Sequence, residues 1–146
     1  QHQKALDYFG FEGTYDPDNA LFDGGKEPGI TSKKTGDIFY NSNAFDDGFD
    51  NLYFIADHEM KHRSDVLSGK YINKNLSNAE YATEEYNTYL YNYKHQGLYR
   101  KNSMGLENRI NMYGTAAGIN PNTFLPYCFP DMRPFWHFIF KVPRKW

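Results

Sequence analysis

The stretch "YFIADHEMKHRSDVLSG", Tyr53 to Gly69, constrains this chain more than any other, because it sets the pattern H-E-x-x-H within helical periodicity. Leu52, Ile55, His58 or Glu59, His62 and Val66 recur at helical spacing, Asp50 supplies an N-cap and Gly69 a stop. A helix is therefore expected over 50–68. On it, positions i and i+4 lie about 40° apart and one turn up, so His58 and His62 point the same way. Two imidazole nitrogens so placed reach one tetrahedral Zn²⁺ at about 2.0–2.1 Å. Glu59 projects beside such a metal, where it can take a proton from a water whose pKa falls to about 7 on zinc. The spacing thus supplies two ligands and a general base. The chain's own His and Glu content gives such a match by accident on the order of once in a hundred chains. The bland alternative is a solvated helix face flanked by Lys61 and Arg63.

A catalytic zinc needs a third protein ligand and an open fourth position. Glu80, Glu84, Glu85, His95 and His137 are the candidates, with Cys128 set among prolines and aromatics that suggest plain burial. The metzincin continuation, a histidine six residues after His62, is absent because that position is Ser68. A glutamate on a returning second helix remains, as in thermolysin-like sites. Ser77–Glu80, "SNAE", is a capping box that opens such a helix, and Gly97 reads as its end. Glu84 and Glu85 face directions about 100° apart, so one of them points at the metal. Glu85 shares a stripe with Tyr81, Thr88 and Tyr89 that has the look of an inward face, and is preferred; Glu84 is the alternative.

The rest of the chain fits an α+β domain. Residues 1–49 read as short strands and turns, with strands at "ALFDGG" and "DIFYN" separated by the polar loop "KEPGITSKKTG" and its hairpin-like Thr-Gly. A weaker third helix is expected over 105–118, then a Pro-rich loop and a terminal strand at "FWHFIFKV". The length of 146 residues fits one domain spanning 1–146. The 13 Tyr and 12 Phe promise an aromatic core and aromatic cleft walls. A formal charge of −2 with basic residues scattered along the chain argues against nucleic acid as a partner. A single cysteine rules out an internal disulfide, no segment is apolar enough for a membrane span, and the first residues lack a signal-peptide layout.

Here a resemblance enters. "EEYNTYLYNYKHQG" resembles the E-x-x-A-Y helix that follows H-E-x-x-H in small gluzincin-type metallopeptidases, with Glu85 at the ligand glutamate and Thr88-Tyr89 in place of Ala-Tyr. "KTGDIFYNSNAF", the H-E-x-x-H helix, the second helix and the ending "WHFIFKVPRKW" together resemble metallopeptidase-like toxin domains at the C-termini of Rhs-type polymorphic toxins. The likeness spans roughly Thr35 to Trp146, and its specific part is the zinc motif. It implies a small zincin-like domain carried by a larger Rhs-type parent protein, secreted or delivered into a target cell, and neutralised in the producer by a cognate immunity protein.

The expected reaction is hydrolysis of a protein or peptide substrate, with His58, His62 and Glu85 on Zn²⁺ and Glu59 passing a proton from water to the departing amine. Tyr89, Tyr113 and His137 are candidate donors to the oxyanion. Asp57 and Asp65 are candidates to orient a ligand histidine, and "DIFYN" a candidate edge strand for an extended substrate. "GGKEPG" lacks the Gly-Lys-Ser/Thr ending of a phosphate loop. Two other readings stand beside this one: a zinc hydrolase of cell-wall peptides or amides, and a non-catalytic zinc-binding interaction domain. Glu59 argues against the latter, since a structural site has no use for a base.

Overall fold

Alternation of apolar and polar residues is confined to very short runs before residue 47, whereas helical periodicity is sustained after it. The computed structural model describes residues 1–71, 74–99 and 103–119. Their order is α1 (His2–Phe9), β1 (Thr14–Tyr15), β2 (Gly29–Thr31), β3 (Ile38–Tyr40), α2 (Gly48–Leu67), α3 (Asn78–Tyr99) and α4 (Ser103–Ala116), with 3₁₀ turns at Ala20–Phe22 and Ser42–Phe45. This is an α+β fold of four helices and a three-stranded sheet among the described residues.

The sheet order is β1-β3-β2. β1 runs parallel to β3, pairing Thr14 with Phe39, and β2 runs antiparallel to it, pairing Gly29 with Tyr40 and Thr31 with Ile38. Gly29, Thr31, Ile38 and Tyr40 are buried on one face, which lies against α2. The core joins that face to α1 and the first half of α2 through Leu6, Ile38, Tyr40, Ala44, Leu52, Ile55 and Ala56. Tyr40, fully buried, donates its hydroxyl to the Glu12 carbonyl at 3.0 Å, so its polar tip is satisfied.

Several expectations for the first 49 residues are corrected. The N-terminus forms α1, stopped by Gly10 in the left-handed conformation, because Leu6 anchors one face in the core. "ALFDGG" is a 3₁₀ turn whose Leu21 amide is capped by the Asn19 side chain. The polar loop itself contains β2, and its Thr35-Gly36 turn closes the β2–β3 hairpin, with Gly36 at φ +78°. "DIFYN" supplies β3, which is the central strand and has no free edge; the edge strands among the described residues are β1 and β2.

The helices follow local chemistry closely. α2 begins two residues before Asp50, which sits in its first turn, and ends at Leu67 with Gly69 at φ +84°. α3 opens on the capping box: the Glu80 carboxylate accepts from the Ser77 amide at 2.8 Å, and the Ser77 hydroxyl accepts from the Glu80 amide at 3.3 Å. It passes through Gly97 to Tyr99. α4 packs along α3, and α3 packs against α2. Among the described residues no helix is long and apolar enough to cross a membrane. The Pro-rich loop, the terminal strand, Cys128 and His137 lie outside the described residues.

Candidate metal centre

Two turns after its apolar start, α2 buries His58, Glu59 and His62. The opposite wall is the buried stripe of α3 made by Glu85, Thr88 and Asn92. His62 Nε2 lies 3.2 Å from His58 Nε2 and 3.2 Å from Glu85 Oε1, and His58 Nε2 lies 3.4 Å from Glu85 Oε2. Donors at metal–ligand distance from one tetrahedral centre sit about 3.3–3.5 Å apart. The two imidazole nitrogens and the two carboxylate oxygens therefore stand close enough together to share one ion, and the donor set of two imidazoles and a carboxylate suits a borderline divalent ion. His58, His62 and Glu85 form a buried group that could hold a metal ion.

The tautomer of His58 follows from its partner. Its Nδ1 lies 2.8 Å from the Asn92 side-chain oxygen, which only accepts, so Nδ1 carries the proton and Nε2 presents a lone pair to the centre. Asn92 is oriented in turn by its amide nitrogen, 3.5 Å from Asp57 Oδ2, and Tyr91 donates to Asp57 Oδ1 at 3.1 Å. Asp57 thus acts one step removed from the histidine. Asp65 instead pairs with Lys61 and Lys70. Asn92 lies on the same α3 face as Glu85, two turns on, which was the available signal for its role.

Burial opposes charge on these groups, and their mutual contacts override it. Burial lowers the His58 pKa, but its hydrogen bond with the accepting Glu85 carboxylate, the charge of Glu59 and the Asn92 contact leave it raised. Burial raises the Glu85 pKa, but hydrogen bonds from His58 and His62 hold it well below the carboxylate range.

The two glutamates separate cleanly. Glu84 is buried, yet its carboxylate accepts from the Tyr71 hydroxyl and the Lys70 ammonium, each at 2.6 Å, and so braces α3 against the end of α2. It is neither a solvated side chain nor an orienter of a ligand histidine. Of the other candidate ligands, Glu80 caps α3 and His95 contacts the Tyr91 carbonyl at 2.9 Å.

Glu59 is held from the sheet. The Thr31 hydroxyl lies 2.7 Å from Glu59 Oε2 and 3.0 Å from the Glu59 carbonyl, so one β2 side chain fixes both the carboxylate and the backbone of that residue. β2 can come this close because residue 29 is glycine: a Cβ there would stand 3.0 Å from both Glu59 Cγ and Ile55 Cγ2.

A cleft of about 1040 Å³ opens over the group, lined along one side by Gly29, Ile30, Thr31 and Ser32 and on the other by Tyr81, Glu85, Tyr89, Arg109 and Tyr113. Tyr89 packs its ring 4.6 Å from that of His58 and stacks on Tyr113 at 5.5 Å. Tyr81 stands near Glu85, and Tyr113 near Arg109. Burial raises the pKa of all three phenols, so each keeps its proton and can donate. Lys33 Nζ sits 3.4 Å from His62 Nδ1 and 4.8 Å over the Tyr71 ring, and burial lowers its pKa against the pull of Glu85, Glu59, Glu84 and Asp65. Arg109, Lys33 and Thr31 carry no motif, and nothing in the sequence alone marks them, whereas Tyr81 is marked only by sharing the Glu85 stripe. The chain matches no protein-family model, no curated protein and no solved structure.

Proposed function

We propose that this chain is a zinc-dependent metallopeptidase with a small zincin-like fold, acting as a toxin domain on a protein or peptide substrate. One observation carries the reading: His58, His62 and Glu85 converge closely enough to share one ion while the buried Glu59 carboxylate stands beside them, held by Thr31 and outside the ligand set. A structural metal site has no need of that carboxylate.

When bound, zinc supplies a Lewis acid at the scissile carbonyl and lowers the pKa of a water in its open position to about 7. Glu59 takes the proton of the attacking water and delivers it to the departing amine nitrogen. Thr31 keeps the carboxylate aimed for both transfers. Asn92 keeps the His58 lone pair directed at the centre. The β2 edge offers backbone donors and acceptors to an extended substrate, the role first expected of "DIFYN". Tyr89 and Tyr113 are the proposed donors to the developing oxyanion, with Tyr81 joining them as the neighbour of Glu85. The setting in an Rhs-type parent protein, with delivery into a target cell and an immunity protein in the producer, rests on the likeness of the motif-bearing segments to such toxins.

Glu59→Gln tests the reading. Elemental analysis should find about one zinc per chain in wild type and variant alike, while growth arrest on expression in a bacterial host falls by at least roughly a hundredfold in the variant. Undiminished toxicity in Glu59→Gln, or a wild type that takes up no zinc on titration, would sink the peptidase.

A further inference from the structure

The basic residues look scattered in the sequence, but folding gathers five of them around one cleft. Lys26, Lys33 and Lys34 flank β2, Lys74 lies in the connection between α2 and α3, and Arg109 projects from α4; all line the cleft over the metal group. Glu27 is the one lining carboxylate besides Glu59 and Glu85 among the described residues. Among the described residues none of the five cations makes an ion pair there, whereas Lys61, Arg63 and Lys70, outside the cleft, each pair with a carboxylate. In a chain of formal charge −2, this is a strongly one-signed wall. A divalent ion on the floor would be balanced by Glu59 and Glu85, leaving Glu27 as the lining carboxylate that faces the wall's cations among the described residues. Like charges gathered without partners cost stability, and low-dielectric cleft walls focus their field on whatever enters.

We propose that the cleft takes an acidic polypeptide segment, with aspartate or glutamate side chains on either side of the bond placed over His58, His62 and Glu85. This rests on the metallopeptidase reading and narrows it to a substrate class. The backbone argument selects polypeptide over other polyanions. Consecutive residues of β2 line the cleft, so its outer edge, unpaired among the described residues, offers the cleft the alternating N–H and C=O groups that a peptide main chain matches and a phosphodiester backbone does not. The cations then read side-chain charge beside that pairing, with Lys33 at the His62 end and Arg109 at the Tyr113 end.

The test uses the zinc-loaded Glu59→Gln protein, which binds without turnover, and fluorescence anisotropy with labelled peptides of one length. The peptides carry Glu, Gln or Lys at alternate positions of an alanine background. The Glu peptide should bind at least about tenfold tighter than the Gln peptide, with the advantage shrinking as salt is added. The double variant Lys34→Gln/Lys74→Gln alters exposed side chains only, so it should fold normally and lose most of that advantage. Equal affinity for the Glu and Gln peptides overturns the proposal. So does a preference that disappears in metal-free protein, because the metal rather than the wall would then be reading the carboxylates. Tighter binding of a single-stranded oligonucleotide of equal charge, lost in the double variant, overturns it in favour of nucleic acid. A protein that prefers the acidic peptide but cleaves nothing keeps this inference and loses the peptidase; one that cleaves peptides regardless of charge does the reverse.

Discussion

The first half of α2 buries Leu52, Ile55 and Ala56 against Leu6, Ile38, Tyr40 and Ala44, whereas the second half buries His58, Glu59 and His62 against Glu85, Asn92 and Thr31. Each large apolar side chain in the first half stabilises the fold by about 1.5–3 kcal/mol through burial. The second half gains little: taking ionisable groups out of water is costly, and their pairing at best offsets it. One helix thus carries an anchor and a liability in series. The comparison teaches where stability and chemistry are kept, since the apolar half holds the helix under the sheet while the polar half is sustained only by exact partners on α3 and β2.

Four measurements sharpen or break that contrast. The largest effect belongs to Glu85→Ala, which should weaken zinc binding by more than about a thousandfold, over 4 kcal/mol, in a chelator competition; near-normal affinity would mean the third ligand lies elsewhere. Ile55→Ala should cost about 3 kcal/mol in urea unfolding, yet leave zinc per folded chain unchanged. A loss of zinc from the folded fraction would show the two halves to be coupled. Asn92→Ala should reduce zinc affinity by roughly 10–100-fold with little change in fold, by releasing the His58 ring from its orientation.

The smallest effect is the pH response of the metal-free protein. The His58 pKa is raised on folding, so its contribution is full below the unfolded value of 6.5 and is lost as pH rises through the folded value. The Glu85 pKa is depressed, so its contribution is present above 4.5 and is lost as pH falls toward the folded value. Metal-free protein should therefore melt a few degrees higher between these two values than at pH 8. Zinc affinity should move the opposite way, rising with pH as the imidazole gives up its proton. Melting curves with and without zinc that shift in the same direction would break the assignment.

What was legible in the sequence was what is local. α2 and α3 announce themselves by periodicity, a capping box and Gly69, and the choice of Glu85 over Glu84 follows from a helical wheel that the packing of α3 on α2 respects. β2 was hidden because three residues, Gly29 to Thr31, are too few to show alternation within a polar loop, and the central position of β3 depends on pairing with distant segments. α1 was missed although Leu6 and Gly10 mark its inner face and its end. Asn92 stood on the right stripe but carries no charge to draw notice. The cationic wall was unreadable in principle, because Lys26, Lys74 and Arg109 meet only after the helices have packed.

Gly29 has a consequence beyond making room. The clearance between the strand and the helix beneath it is narrower than one methyl group, so residue 29 works as the thickness gauge of the cleft. Any side chain there acts as a shim: Glu59, Ile55 or the strand that carries Thr31 must give way by a few tenths of an ångström. A position with no chemistry of its own thereby sets the tolerance to which the base, the strand edge and the metal group are assembled.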